Sequence, residues 1–387
     1  EVRSTMRAVI ALLAFGAACA SAVRHPALRS LTRRCSSGQL LRRVPVFRPG
    51  ARMEAPPAAA YDWTAVDKVV MITCDVQGPR LKASREALKS FNLDGVLEVR
   101  QFEPDPEDKI RGCYMSHVTV LEEAEQTLGQ GGKEDYIVLV VEDNIGVTGA
   151  ASSPEMPDVI KDVLSYAKSD RPWDVIHLGY IMYVPGLSVL RVPDDGTQDG
   201  SVGGGLLRHV VQVRVTNAQS ALGNTAYLIS KRGVDAVLRE HRKNGFRVPI
   251  PDLMAEIFPE SRFAAYPMPF HRSPKIRSIV NPQFDDLRQI MFRPSWITFW
   301  EQILVTTGLS TSVVFPSLIA FVVVLFLVSS AQAATAAWQL ATSPQDFDGN
   351  VALIVLETLV SAFSLAFILY GASLAPKPPP EQAKQEG

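Results

Sequence analysis

Cysteine is scarce in this chain: four in 387 residues, two of which, Cys19 and Cys35, fall in a basic N-terminal segment. The remaining pair, Cys74 and Cys113, is too small for a disulfide scaffold; one bridge and two reduced core thiols both stay open. With no neighbouring Cys or His at a metal-ligand spacing, Cys113 reads as a buried small residue. No strand runs into a Gly-rich phosphate loop of the GxGxxG or GxxxxGK type, which disfavours a nucleotide-binding domain of those kinds. Internal repeats are missing as well. Charge is absent from residues 302–345, and acid from residues 23–53.

The acid-free segment completes a leader over residues 1–53. Met6-Arg7 and an apolar stretch at 9–20 give a signal peptide's start and centre, and Ala20-Ser21-Ala22 gives a small-residue cleavage site. Residues 23–53 follow with eight Arg and several Ser and Thr, the composition of a transit peptide. The pair predicts a bipartite leader to a plastid of secondary origin, although Val23 stands where an aromatic is usual. A plain secretory signal to an ER or Golgi membrane is the alternative. The leader carries +9, so a whole-chain charge of −1 leaves −10 on residues 54–387. A body this acidic excludes the basic footprint of nucleic-acid binding.

The charge-free region marks a membrane protein. Its centre, 313–328 (VVFPSLIAFVVVLFLV), is almost wholly apolar, and a second run at 351–375 contains one charge, Glu357. Each exceeds the ~20 residues that cross a bilayer core as a helix. Together they predict a two-helix transmembrane hairpin over 311–375, with Pro316 near the start of the first span. Arg288, Arg293, Lys377 and Lys384 flank the pair while the intervening loop has none, placing both ends, and the folded domain, on the cytosol-like side, which in a plastid is the stroma. Glu357 turns toward a partner helix or snorkels. Residues 376–387 form a polar, Pro-rich disordered tail. The connector, 275–302, interleaves aromatic and aliphatic residues with Arg288 and Arg293, a pattern suited to the bilayer interface or to packing on the domain.

The body between leader and connector reads as α/β. Residues 69–74 (VVMITC) and 136–145 (YIVLVVEDNI) are buried-strand runs, the second ending in Glu142, Asp143 and Asn144. Ligands in open α/β sheets bind beyond the carboxyl ends of strands, so these acids are sited for a divalent cation. Strand alternation keeps Glu142 and Asp143 on opposite faces unless the chain has already turned, which makes Asp143 or Asn144 the better single ligand. Pro79-Arg80-Leu81 opens an amphipathic helix with Leu81, Leu88 and Phe91 on one side. The Gly- and Asp-rich stretch from Tyr183 to His209 shows no periodicity and reads as a mobile insertion.

Further on come Gly112-Cys113-Tyr114-Met115-Ser116-His117, Trp173 to Gly179 and Gly223 to Gly233. In this order the set resembles glycosyltransferase family 25, which includes lipopolysaccharide sugar transferases and collagen galactosyltransferases. The resemblance covers about residues 66–273. Gly112 to His117 matches the family's GCxxSH, and Glu142-Asp143-Asn144 its EDD triplet. Asn144 departs from that pattern, and Ile110 stands where the family usually has glutamate; an amide in place of a carboxylate weakens binding of a hard cation.

The resemblance implies a Rossmann-like GT-A domain over 61–274 that moves a sugar, galactose-type, from a nucleoside diphosphate sugar such as a UDP-sugar to a hydroxyl of a lipid or glycoprotein acceptor. Asp143 and Asn144 would hold Mn²⁺ or Mg²⁺, the Lewis acid for the departing diphosphate. Arg80 would place the phosphates; Ser116, His117, Glu142, Asn224 and Thr225 would line the donor or acceptor pocket, His117 in a catalytic role. Ser116 could equally cap the following helix. Asp252 is the candidate general base, or else the N-cap of a helix at 253–257. The two departures keep a second function open, a catalytically weakened scaffold or subunit of a membrane complex.

Overall fold

The structure, a computed structural model, describes residues 61–182, 184, 186–194, 205–216, 223–273, 294–342, 355, 356, 358–363, 365 and 366. The leader, the tail, Glu357 and the connector up to residue 293 lie outside the described residues. Two compact units divide the chain, Met53–Ser312 and another that contains Val313–Gly387.

The first unit begins with β1 (Lys68–Thr73), α1 (Pro79–Lys89), β2 (Leu97–Gln101), α2 (Lys109–Ala124) and β3 (Ile137–Glu142). β4 (Ile145–Val147), α3 (Met156–Ala167), β5 (Val175–Gly179), β6 (Leu187–Asp194) and β7 (Gly205–Val215) follow. β8 (Ala226–Ser230), α4 (Lys231–Asn244), α5 (Ile250–Ile257), β9 (Arg262–Ala265), β10 (Phe270–Arg272) and α6 (Pro294–Thr307) complete it. Eight strands make one sheet in the order β2-β1-β3-β8-β5-β9-β7-β6, and β10 pairs with β4 apart from it. β2, β1 and β3 are parallel, as are β5 and β9; β8 and β7 are the two reversed strands, so β6 again runs with the majority.

Both faces of this sheet are covered, which explains the unbroken apolar runs of its central strands. Val69 and Met71 of β1 and Leu139 and Val141 of β3 pack with Leu81 and Leu88 of α1 and with Val159 and Val163 of α3. Val70, Ile72, Val138 and Val140 face the other way, onto Tyr114 and Leu121 of α2, Val234 and Val237 of α4 and Leu253 of α5. Strand alternation thus sorts one run into two cores.

α4 sits close to the sheet because of a glycine. Ser230 caps the helix, its side chain accepting from the Gly233 N–H at 3.2 Å. A Cβ on Gly233 would lie 2.7 Å from the Asp174 carbonyl oxygen and 2.8 Å from Ile229 Cγ1. Backbone cannot yield as a flexible side chain can, so Gly233→Ala should destabilise the unit by about 1–3 kcal/mol. A lower urea midpoint with an unchanged m-value would show this; an unchanged midpoint would mean that α4 moves off the sheet without penalty.

Three sequence expectations change. The stretch 183–209 is not an aperiodic insertion: β6 and β7 pair antiparallel from Leu187↔Val215 to Asp194↔Gly205, with residues 195–204 outside the described residues. α2 begins at Lys109, capped by Asp108, which accepts from the Ile110 and Arg111 N–H groups. Ser116 is therefore mid-helix rather than a cap, and its hydroxyl donates to the Gly112 carbonyl at 2.8 Å. Asp252 lies inside α5, whose N-cap position is Pro249.

α6 lies on the first unit with Ile297, Trp300, Leu304 and Val305 buried, against β6 and the short turn Gly149–Ser152. Trp296 and Phe299 stay exposed. Between the buried positions lies a carboxylate, Glu301, 1 % exposed. The Met268 N–H donates to its Oε2 at 3.0 Å, and the Tyr180 hydroxyl to its Oε1 at 3.3 Å.

The next helix, α7 (Thr311–Thr342), carries the apolar run, Pro316 included. Its segment Thr311–Gln332, mean hydropathy 2.6, is long and apolar enough to cross a membrane, and it is the one such helix among the described residues. Most of the second apolar run, 351–375, lies outside them. Where that run is described it is helical, and Thr358 Oγ1 donates to the Ser329 carbonyl at 3.2 Å.

Candidate ligand-binding cleft

A cleft of about 290 Å³ opens beyond the carboxyl ends of β1 and β3. β8 runs antiparallel to β3, so its amino end, with Asn224 and Thr225, comes to the same edge of the sheet. The opposite wall is α2, which presents Cys113, Ser116 and His117; Arg80 comes from α1 and Arg272 from β10. The structure thereby brings together Arg80, Ser116, His117, Glu142, Asp143, Asn144, Asn224 and Thr225. Asp252 does not line the cleft, although Pro249, Ile250 and Pro251 do. Its Oδ1 is buried without a partner, and burial, with Glu256 nearby, pushes its carboxyl up to about 6.

At the tip of β3 the chain turns as it must if neighbouring acids are to share a site. Glu142 is the last strand residue, and the Asp143 N–H bonds back to the Ile72 carbonyl at 3.1 Å. Asp143 is buried and engaged: Arg80 donates to its Oδ1 from Nε at 3.1 Å and Nη2 at 2.5 Å, and Thr73 Oγ1 donates to its Oδ2 at 2.7 Å. Asn144 turns its amide away, Nδ2 donating to Glu142 Oε2 at 2.7 Å, which leaves its buried Oδ1 without a partner.

This arrangement does not fit the hard-cation site expected at Asp143 and Asn144. Mn²⁺ and Mg²⁺ take several oxygen ligands, carboxylates foremost. Here the only carboxylate of the pair is held by a guanidinium whose charge repels a cation. Of that expectation, the Asn144 Oδ1 is the open donor.

His117, fully buried, has its Nδ1 2.9 Å from the Tyr227 hydroxyl, with the two rings stacked. Its Nε2 has no hydrogen-bond partner and stands 3.6 Å from Glu142 Oε1. Burial works to raise the Glu142 carboxyl, but the His117 ring, Arg272 and the Asn144 amide outweigh it and hold it below the ordinary range. His177 of β5 lies away from this cleft; burial, with Arg262, drives its ring down to about 3 and keeps it neutral.

Cys113 modifies the sequence reading. It is a free thiol in the cleft wall: the residue as a whole is exposed, yet burial of the sulfur itself, with Glu142 nearby, pushes the thiol up. It also has a histidine at ligand spacing: His117 is its i+4 neighbour on α2, a relation that registers only once Gly112 to His117 is known to be helical. Arg272 and Tyr227 were missed as well: Arg272 lies 128 positions beyond Asn144 with no motif to flag it, and Tyr227, although inside the Gly223 to Gly233 segment, reads there as a strand residue.

No protein-family model and no curated protein matches this sequence. Among solved structures, it is similar to the crystal structure of a glycosyltransferase involved in the glycosylation of the major capsid of PBCV-1, at 9% identity and a TM-score of 0.29, covering 58% of this chain and 98% of that one. The likeness to family 25 rests on the motifs of this sequence alone.

Proposed function

We propose that the cleft binds a nucleoside diphosphate sugar, of the UDP-galactose kind, and that the protein passes the sugar to a hydroxyl of a lipid or glycoprotein acceptor at its membrane. The observation that carries this reading is the convergence of Arg80, the GCxxSH segment and the Glu142-Asp143-Asn144 tip on one cleft at the carboxyl edge of the sheet. Lys109 and Arg272 add two further cations to its lining. Diphosphate oxygens accept from a guanidinium as the Asp143 carboxylate does, so Arg80 can exchange one anion for the other. Negative charge that builds on the departing diphosphate is then met by groups already in place.

A second reading, a catalytically silent scaffold for a membrane complex, is favoured by the same salt bridge, which satisfies Arg80 and Asp143 without any donor. Calorimetry on the full-length protein in detergent, with a panel of nucleotide sugars in Mn²⁺, in Mg²⁺ and in chelator, separates the two. The transferase reading expects one donor to bind and to be turned over slowly to free sugar and nucleotide. Folded protein that binds none of them under any of the three conditions would establish the scaffold instead. Targeting to a plastid or to the secretory pathway is a further part of the proposal, to be read from where a tagged full-length chain accumulates.

A further inference from the structure

The geometry points to a binding site for a borderline-soft divalent cation of the Zn²⁺ class, formed by Cys113 Sγ, His117 Nε2 and Glu142 Oε1 on the floor of the cleft. Ligand atoms of these three residues lie within 4.8 Å of one another. Cys113 and His117 project from one face of α2, and Glu142 meets them from the end of β3. Small side-chain rotations close such a set onto one ion.

The buried, unpartnered Nε2 of His117 is an independent sign of a missing ligand, because buried polar nitrogens are otherwise satisfied. Its distance from Glu142 Oε1, 3.6 Å, is too long for a hydrogen bond and suits two donors around a common ion. Two of the three ligands also have the outer partner that metal sites employ. Tyr227 holds His117 through Nδ1, which frees Nε2, and Asn144 holds the other carboxylate oxygen of Glu142.

Sulfur, imidazole and one carboxylate select Zn²⁺ over Mg²⁺ or Mn²⁺, which favour oxygen. Three protein ligands leave a fourth position open toward the cleft, the arrangement of zinc sites that take water or a ligand oxygen. The site differs from the Asp143 and Asn144 pair in residues and in the class of metal, and it stands whether or not the cleft takes a sugar donor.

Metal-free full-length protein in detergent, titrated with Co²⁺ and then Zn²⁺, tests it. Co²⁺ should produce a near-ultraviolet thiolate-to-metal charge-transfer band that saturates at one equivalent. One equivalent of Zn²⁺ should abolish the band, following the order of affinities. Cys113→Ser should lose the band and weaken Zn²⁺ more than the roughly 10–100-fold that follows loss of an outer-shell partner. Glu142→Gln should keep the band with weaker binding, and Cys74→Ser should leave both unchanged. Circular dichroism reports whether each variant is folded, and serine nearly keeps the size of the Cys113 side chain. Folded wild-type protein without a thiolate band at stoichiometric Co²⁺ would overturn the site, and His117 and Glu142 would then be an ion pair. A band that survives Cys113→Ser and vanishes in Cys74→Ser would overturn it equally. Neither result depends on donor binding, so failure of this site and failure of the transferase reading are read separately.

Discussion

Arg80→Ala should destabilise the folded unit by roughly 3 kcal/mol, the lower end of the scale for breaking one side of a buried ion pair, and on the transferase reading it should also abolish donor binding. The reason lies in what is left behind. Asp143 has a side chain 8% exposed, and its Oδ1 takes two hydrogen bonds from Arg80. Without the guanidinium that charge keeps the Thr73 hydroxyl alone, at 2.7 Å from Oδ2. Lysine is no substitute, because one ammonium cannot supply the paired donors of the fork. The double variant Arg80→Met with Asp143→Leu separates the two effects: it should regain most of the stability, since apolar pairs often replace buried ion pairs without loss, while donor binding stays absent. Denaturant melts and calorimetry on the same samples check both. A single variant as stable as wild type would show that the pair contributes nothing to the fold.

The second large effect is a pH dependence centred on Glu301. Burial raises its carboxyl to about 8 against the opposing influence of the Met268 N–H, the Tyr180 hydroxyl and Arg191. The folded state therefore holds this proton more tightly than the unfolded state, where the carboxyl titrates at its ordinary value near 4.5. Between those two values the folded state binds more protons, so stability falls as pH rises. The contribution is whole below about pH 4.5 and is lost as pH climbs through about 8, a difference of roughly 3–5 kcal/mol. Wild-type protein should melt progressively lower from pH 5 to pH 9. Glu301→Gln keeps an acceptor for the Met268 N–H and a donor toward Tyr180, and its melting temperature should be nearly flat over the same range. Parallel curves for the two proteins would show that Glu301 is not the titrating group.

Much of the fold was legible wherever burial is two-sided. VVMI, IVLVV and AYLI are unbroken apolar runs because helices cover both faces of those strands. β6 and β7 escaped notice for the opposite reason: they lie at the edge of the sheet, carry Arg191, Arg208 and Arg214, and are joined through a Gly- and Asp-rich stretch that reads as loop. Most of the candidate site was visible as residue types but not as partnerships. Arg80 and Asp143 are 63 positions apart, and nothing in either segment announces that one neutralises the other. Cys113 and His117 became a pair only when Asp108, rather than Ser116, proved to be the helix cap, which puts both residues inside α2. Asp252 was noticed as an acid after a proline, and the helix that starts at Ile250 keeps it out of the cleft lining.

The reversed strand β8 also sets an order of events during synthesis. Val141 of β3 pairs with Ala226 of β8, 85 positions further along the chain. At ribosomal speeds of about 5–20 residues per second, the apolar edge of β3 waits roughly 4–17 s for its neighbour. Asn224 and Thr225 arrive with that same strand. The nascent chain thus carries an open, aggregation-prone sheet edge for as long as it lacks a complete cleft, and closing the one completes the other.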